Sequence, residues 1–371
     1  MAVQFNLKLW ILFCFVLLCS PLHCQASDPN LCEKIYKIGG SSALINSPEC
    51  SYWKPLNDEA STTFCQTATL LGQQQQRQED RALCSLDVYM PLSRKEEVKV
   101  GVTAVFDGFK GSQASDMASK MFLDMFSLHV QLLSQTDHSI SGSEVLREAV
   151  VRAINDINTI FSADAQARNL HAGSTATISL MVDGKILVAN VGNSKTFLCS
   201  KKTLPPSLES FLGRHAHKTF AKELTKDHSP DRDDEKARVE ASGGYVLDSR
   251  VNGELPISRS IGAISYARNG VISTAEITDW RDLTAEDVYL VAGTSSVFEK
   301  MSLDEACEIL SEEGASKSPG ASMADLLVNT AFKKGSFDNL AAVVVALNNL
   351  SPARPEENDD VHVRMSRTDE L

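Results

Sequence analysis

The chain has 371 residues, of which 43% are hydrophobic and 23% are charged. That balance is ordinary for a globular protein with enough apolar material for a core, so it excludes a disordered or fibrous chain. The formal net charge of −12 argues against a nucleic-acid partner, because surfaces that bind nucleic acid are basic. We therefore expect a globular domain whose acidic surface keeps it soluble.

Residues 1–26 have the layout of a secretory signal peptide. Lys8 precedes the apolar run of residues 9–18, and Ala26 closes a processing region. The run is shorter than the roughly 20 apolar residues of a typical transmembrane helix, which favours a cleaved signal peptide. The alternative is that the segment is not cleaved and anchors the protein in a membrane. The last four residues, Thr368-Asp369-Glu370-Leu371, resemble the Lys-Asp-Glu-Leu retrieval signal, although a chance acidic tail is the other reading. Together the two ends predict a protein of the secretory pathway, in the lumen of the endoplasmic reticulum.

Cysteine usage agrees with an oxidising compartment. Three of the nine cysteines lie in the predicted leader, which leaves six in the mature chain. Four of these are close to its N-terminus and are expected to form one or two disulfides, whose pairing the sequence leaves open: Cys32, Cys50, Cys65 and Cys84. Cys199 lies in a strand-like pattern and Cys307 in a helix-like one, so we expect both to be buried free thiols.

Hydrophobic periodicity predicts the elements along the first half of the chain. Residues 27–64 show no period and are predicted to be an irregular N-terminal segment. Strands are expected at residues 82–90 and 101–106, followed by two helices within residues 112–161 that are joined near residues 139–142. The β-branched runs at residues 175–182 and 186–191 predict a hairpin that turns at Asp183-Gly184, with a further strand at residues 196–199.

The second half of the chain alternates between short strands and helices. Helices are predicted at residues 231–241, 303–312 and 322–333, and strands at residues 245–247, 272–277, 288–292 and 340–346. Strands that cluster in hairpins and helices that come in antiparallel pairs predict an α+β fold. One domain is expected over residues 65–348, followed by an acidic tail over residues 349–371.

Acidic residues stand at the ends of several predicted strands. Glu79 and Asp80 precede one, Asp107-Gly108 follows another, and Asp338 precedes the last. A carboxylate at the end of a buried strand is costly without a cation or donors, although a capped turn would also explain Asp107-Gly108. Hard cations such as Mg²⁺ and Mn²⁺ are bound by carboxylates and carbonyls, and pairs of such ions assist hydrolysis. The pattern therefore predicts a metal centre built from separate strands.

Eight short sequence blocks follow one another along residues 72–347. They are Glu79-Asp80-Arg81, Val105-Phe106-Asp107-Gly108, Gly173-Ser174-Thr175-Ala176, Val188-Ala189-Asn190-Val191-Gly192, Leu224-Thr225 with Asp227-His228 and Glu235, Arg250-Val251-Asn252-Gly253, Ser258-Arg259-Ser260-Ile261-Gly262, and Asp338-Asn339. In order and spacing these blocks resemble the motifs of the protein phosphatase 2C family of metal-dependent serine/threonine phosphatases. The resemblance implies a central antiparallel β-sandwich flanked by pairs of antiparallel helices.

The resemblance also implies roles for the acidic residues. Asp107 would bridge two Mn²⁺ or Mg²⁺ ions. Glu79 and the Gly108 carbonyl would complete one ion, and Asp338 would bind the other. Asp80 would hold waters of the metal shell. All five residues are present.

Other family positions are substituted. Phe109 occupies the position of the family's general-acid histidine. The position of an aspartate that binds the second metal is occupied by Ser295, or by Thr294 in the other alignment. Gln75 replaces the phosphate-binding arginine, although Arg77 is nearby.

Three more family positions differ in this chain. Asn193 and Ala263 each replace an aspartate, and Lys195 replaces an arginine.

These substitutions bear on activity. Loss of a general acid typically costs 10²–10⁴-fold in rate. We therefore expect an impaired pseudophosphatase with a single, weakened Mn²⁺ or Mg²⁺ site that binds a phosphoprotein or another protein partner. The alternatives are an active metal-dependent phosphatase acting on phosphoserine or phosphothreonine, and a structural domain that binds nothing.

Overall fold

The structure is a computed structural model that describes residues 64–92, 97–136, 140–201, 219–316 and 322–347. The predicted leader, nearly all of the predicted irregular segment, Cys32, Cys50 and the acidic tail lie outside the described residues. The strands described are β1 (Cys65–Leu70), β2 (Arg81–Pro91), β3 (Glu97–Phe106), β4 (Gly108–Phe109), β5 (Gly173–Ser174), β6 (Ala176–Val182), β7 (Lys185–Val191), β8 (Lys195–Lys201), β9 (Thr219–Glu223), β10 (Val246–Leu247), β11 (Arg250–Val251), β12 (Ile261–Gly262), β13 (Glu276–Ile277), β14 (Arg281–Asp282), β15 (Asp287–Gly293) and β16 (Leu340–Ala346).

Two large antiparallel sheets face each other. One has the order β1-β16-β15-β8-β9, and the other has the order β13-β7-β6-β3-β2, with β14 also paired to β7. A small sheet, β12-β5-β4, and the hairpin β10-β11 complete the β-structure that is described. Asp183 and Gly184 form the tight turn between β6 and β7. Both have positive φ (49° and 72°), as the two central residues of a type I′ hairpin turn require. The predicted α+β sandwich is confirmed.

Two pairs of helices lie on the outer faces of the sandwich, and a short helix packs near the β10–β11 hairpin. The helices described are α1 (Gln113–Thr136), α2 (Gly142–Arg168), α3 (Asp233–Ala241), α4 (Leu303–Ser316) and α5 (Met323–Lys333). Helix α2 begins where the Ser141 side chain accepts a hydrogen bond from the Glu144 amide, and it ends at Asn169 in the left-handed conformation. Helices α1 and α2 cover the sheet that contains β3, while α4 and α5 cover the other sheet.

Apolar side chains fill three layers. Phe106 and Phe122 pack between β3 and the α1–α2 pair, and Leu310 packs between the other sheet and the α4–α5 pair. Val105 and Leu290 pack between the two sheets. Adjacent residues of β3 therefore point into different layers, so the buried part of the strand, residues 100–106, is apolar except for Thr103, as is typical of a strand covered on both faces. This buried strand carries Asp107 at its end.

Two disulfides are present in the described part of the chain. Cys65 on β1 is joined to Cys84 on β2, which links the two sheets and selects one of the pairings that the sequence left open. Cys199 on β8 is joined to Cys307 on α4, so the prediction that these two are free thiols was wrong. Helix α4 packs against β8 and brings the two Cα atoms to 5.3 Å, within disulfide range.

Other differences concern short strands. The strand predicted over residues 272–277 is reduced to β13, because Ile272 instead forms a parallel bridge with Arg259. Strands β1 and β9 were not predicted. Both are edge strands of the five-stranded sheet. Strand β1 pairs with β16, which is distant in sequence, and β9 pairs with β8, from which residues 202–218 separate it.

Candidate metal centre

Backbone hydrogen bonds fix Asp107 at the end of β3. Its amide donates to Thr175 Oγ1 (3.0 Å), and its carbonyl accepts from the Thr175 amide (2.9 Å). The Thr175 hydroxyl is in turn 2.7 Å from Ser194 Oγ. Thr175 lies in the Gly173–Ala176 block of the sequence, but no role was predicted for it. Thr175 lies between β5 and β6, so these bonds fix the backbone of Asp107 relative to the neighbouring strands.

Gly108 allows the chain to pass directly against Glu79. A Cβ at position 108 would lie 2.3 Å from the Glu79 carbonyl oxygen, so a larger residue would force the two segments apart. The Gly111 amide donates to Glu79 Oε2 (3.1 Å), and Ser115 Oγ donates to the Glu79 carbonyl. The loop after Asp107 therefore positions Glu79 beside it.

Asp80 is a buried carboxyl group with poor compensation for its charge. It is 1% exposed, and neither of its carboxylate oxygens forms a hydrogen bond of ordinary geometry among the described residues. Burial raises the pKa of Asp80 well above its usual range, and the negative charge of Asp107 adds to the effect, while the Thr294 hydroxyl and the Gly108 amide act in the opposite direction. A buried carboxylate that is poorly compensated is unfavourable, so a cation at this position would stabilise it.

Asp107 itself is destabilised as an anion. Burial and, after it, the charges of Asp338 and Glu79 raise the pKa of Asp107 to about 7, although hydrogen bonding from Ser295 acts in the opposite direction. Ser295 Oγ donates to Asp107 Oδ2 over 3.2 Å. The residue that stands where a second-metal aspartate was expected therefore contacts the central acid as a hydrogen-bond donor.

Asp338 reaches the same place from the opposite sheet, just before β16. Its Oδ1 accepts from Gln75 Nε2 (2.8 Å) and from the Asn339 amide (2.8 Å). Gln75, at the position of the phosphate-binding arginine, is thus occupied with an acid of the site. No pattern in the sequence predicts this contact.

These residues fit a hard divalent cation. Carboxylates from both sheets converge closely enough to raise the pKa of Asp107, and the oxygens of Asp80 form no hydrogen bond of ordinary geometry among the described residues. Oxygen ligands of this kind suit Mg²⁺ and Mn²⁺. Within the described residues, no three His, Cys, Asp or Glu side chains form a closed ligand cluster. The Gly108 carbonyl and water would add oxygen ligands to those of the acids.

The substituted positions lie around this centre. Phe109 packs against an apolar cluster that includes Ala263 and Tyr266, and its ring lies against Gly173. Asn193 is in the turn between β7 and β8, next to Ser194. Lys195 pairs with Glu223 (3.0 Å) and Asp227 (2.7 Å).

Comparison with known proteins gives a consistent result. The family model "Protein phosphatase 2C" matches residues 70–340. "Probable protein phosphatase 2C 51" of Arabidopsis thaliana is 38% identical over 92% of this chain and 82% of its own length. "Putative protein phosphatase 2C 76" of Oryza sativa subsp. japonica is 36% identical over 90% of this chain and 87% of its own. A serine-threonine phosphatase 2C from Toxoplasma gondii shares the fold, with a TM-score of 0.60 at 21% identity over 76% of this chain and 94% of that one. The resemblance seen in the sequence motifs is confirmed, and the chain belongs to the protein phosphatase 2C family.

Proposed function

We propose that this chain binds Mn²⁺ or Mg²⁺ together with a phosphorylated serine or threonine of a protein partner, and that its turnover is strongly impaired. One observation carries the proposal: the acids around Asp107 are kept, while the Phe109 side chain beside them is packed into an apolar cluster. A site of this kind retains charge for binding and lacks the proton donor for turnover.

The chain's own residues would act as follows. Glu79, Asp107, the Gly108 carbonyl and Asp338 would hold the cation, and Asp80 would hold water. When bound, a divalent cation supplies Lewis acidity to phosphoryl oxygens. Phe109 has no proton to donate, so the serine or threonine oxygen would leave without general-acid assistance. That assistance is typically worth 10²–10⁴-fold in rate.

An active phosphatase is the second candidate, and Arg77 favours it. This residue is exposed and lies two positions before Glu79, and its guanidinium has no hydrogen bond or ion pair among the described residues. A guanidinium binds phosphate through two parallel hydrogen bonds. Arg77 would therefore supply the charge that Gln75 cannot, and phosphate capture would not depend on the substituted position.

The experiment compares binding with turnover. Mn²⁺ titration of the mature protein in a calorimeter is expected to show binding that Asp107→Asn abolishes. Turnover is then measured with an aryl phosphate and a phosphopeptide across a Mn²⁺ series. The same assays are repeated on the combined variant Phe109→His, Ala263→Asp, Ser295→Asp and Asn193→Asp, in which Ala263→Asp gives the imidazole a polar neighbour. Impaired turnover that rises in the combined variant supports the proposal. Rapid metal-dependent turnover by the unmodified chain would show the active phosphatase instead, and absence of Mn²⁺ binding would refute both.

We also propose that the protein works in the lumen of the endoplasmic reticulum. The Cys65–Cys84 and Cys199–Cys307 disulfides support this, since such bonds persist in oxidising compartments. Across the described ranges, no helix is both long and apolar enough to cross a membrane. A fluorescent protein inserted between the leader and the tail, imaged with a luminal marker, tests the proposal. Fluorescence confined to the cytosol would contradict it.

A further inference from the structure

Two exposed apolar residues are the sequence neighbours of Gly72 and Asp338, whose backbones touch at the candidate metal centre. Leu71 is 44% exposed and follows β1, while Phe337 is 47% exposed and directly precedes Asp338. We call these two side chains the apolar rim. Other large exposed apolar groups of the described residues lie away from the acids in sequence, as Tyr89 on β2 and Leu128 on α1 do. An apolar pair next to a charged site requires a separate explanation.

Hydrogen bonds join the two segments that carry the rim. The Gln74 amide donates to the Phe337 carbonyl (3.3 Å), and Asn339 Nδ2 donates to the Arg77 carbonyl (2.9 Å). The Gly72 amide donates to Asn339 Oδ1 (3.2 Å). Residues 72–77 and 337–339 are therefore held as one unit.

The unit is also anchored to the site. A Cβ at Gly72 would lie 2.3 Å from the carbonyl carbon of Asp338, so the segments touch at the acid itself. The buried Ser336 donates through Oγ to the Ser296 carbonyl (2.8 Å), one residue beyond Ser295. The rim is thus fixed relative to the acids, and binding would not have to order it first.

We propose that the apolar rim binds an apolar side chain adjacent to the phosphorylated residue of the protein partner. The inference rests on the proposed function, because it assumes that the phosphate is held at Asp107 and Asp338. Consecutive Cα atoms are about 3.8 Å apart, so the residue next to the phosphorylated one passes close to the neighbour of Asp338. That neighbour is Phe337, and burying an apolar side chain on it is favourable.

The test uses fluorescence polarisation with labelled phosphopeptides in Mn²⁺. The bridging phosphoester oxygen is replaced by methylene, so turnover cannot distort the measurement. One peptide has serine on both sides of the phosphonate residue, and the others have leucine before it or after it. We expect one leucine peptide to bind about tenfold more tightly than the serine peptide, which corresponds to about 1.4 kcal/mol.

Two variants locate the effect. Leu71→Ser combined with Phe337→Ser is expected to remove the leucine preference and to leave the affinity for the serine peptide within about twofold. Tyr89→Ser, at a 63% exposed aromatic residue of β2, is the matched control and should keep the preference. Mn²⁺ titration of each variant confirms that the site is intact.

The outcomes separate the two proposals. If the unmodified chain binds none of the peptides in Mn²⁺, the proposed function fails and the inference fails with it. If it binds all peptides equally, the proposed function stands and the apolar rim has no such role. If the leucine preference survives in the double variant, another surface reads the flanking residue and the inference is wrong.

Discussion

Removal of the Cys199–Cys307 disulfide is expected to destabilise the fold more than removal of Cys65–Cys84. The two bonds close loops of 108 and 19 residues. In the chain-entropy treatment these loops correspond to about 4.8 and about 3.2 kcal/mol, a difference of about 1.5 kcal/mol. Cys199 and Cys307 are also fully buried, so truncation to alanine leaves a void that acts in the same direction.

The assay is urea denaturation of two double variants, Cys199→Ala with Cys307→Ala and Cys65→Ala with Cys84→Ala. Globular domains typically unfold with about 5–15 kcal/mol, so the first loss is a large part of the total. Titration of the denatured, unreduced mature protein with a thiol reagent should find neither Cys199 nor Cys307 free. Equal losses in the two variants would refute the loop-length argument, and a reactive thiol at Cys199 would refute the bond itself.

Three further outcomes follow from the same contacts. Burial lowers the pKa of His228 from 6.5 to about 4, so the folded state holds it neutral. The unfolded chain therefore binds a proton at His228 more readily than the folded chain does, and the free energy of unfolding falls by up to about 3 kcal/mol as the pH drops from 6.5 towards 4. His228→Gln should reduce this pH dependence when the free energy of unfolding is measured by urea denaturation. Ser295→Asp should raise Mn²⁺ affinity about tenfold or more in calorimetry by adding a carboxylate, whereas Asp338→Asn should lower it. Gly108→Ala should cost about 2 kcal/mol or more and weaken Mn²⁺ binding, because its Cβ would overlap the Glu79 carbonyl; an unchanged melting temperature would contradict the close approach.

Local sequence patterns predicted the elements whose stability is local. The β6–β7 hairpin follows from alternating β-branched residues around Asp183-Gly184, and the α1–α2 pair follows from helical periodicity with a cap at Ser141. Strand β1 escaped prediction because its hydrogen bonds come from β16, about 275 residues away, as the pairing of Cys65 with Val345 shows. A short edge strand has no pattern of its own that distinguishes it from a loop.

The candidate site divides in the same way. The acids could be predicted because each stands at the end of a strand and belongs to a family block. The donors could not, because contacts such as Gln75 with Asp338 join segments 263 residues apart. The Cys199–Cys307 bond depends likewise on how α4 packs against β8. Tertiary packing determines these contacts, and the local hydrophobic periodicity of the sequence does not predict it.

The substituted residues form contacts that depend on one another. Phe109 and Ala263 occupy positions where the family has a histidine and an aspartate. Ala263 belongs to a buried apolar cluster, and Phe109 packs against the same cluster. An imidazole placed at position 109 would contact this cluster and would be desolvated there, which lowers the pKa of histidine. It would then be mostly neutral and a poor proton donor near pH 7. The residue at position 109 and its neighbour Ala263 therefore both differ from the family pattern. An effective proton donor at position 109 would need a polar partner as well as an imidazole.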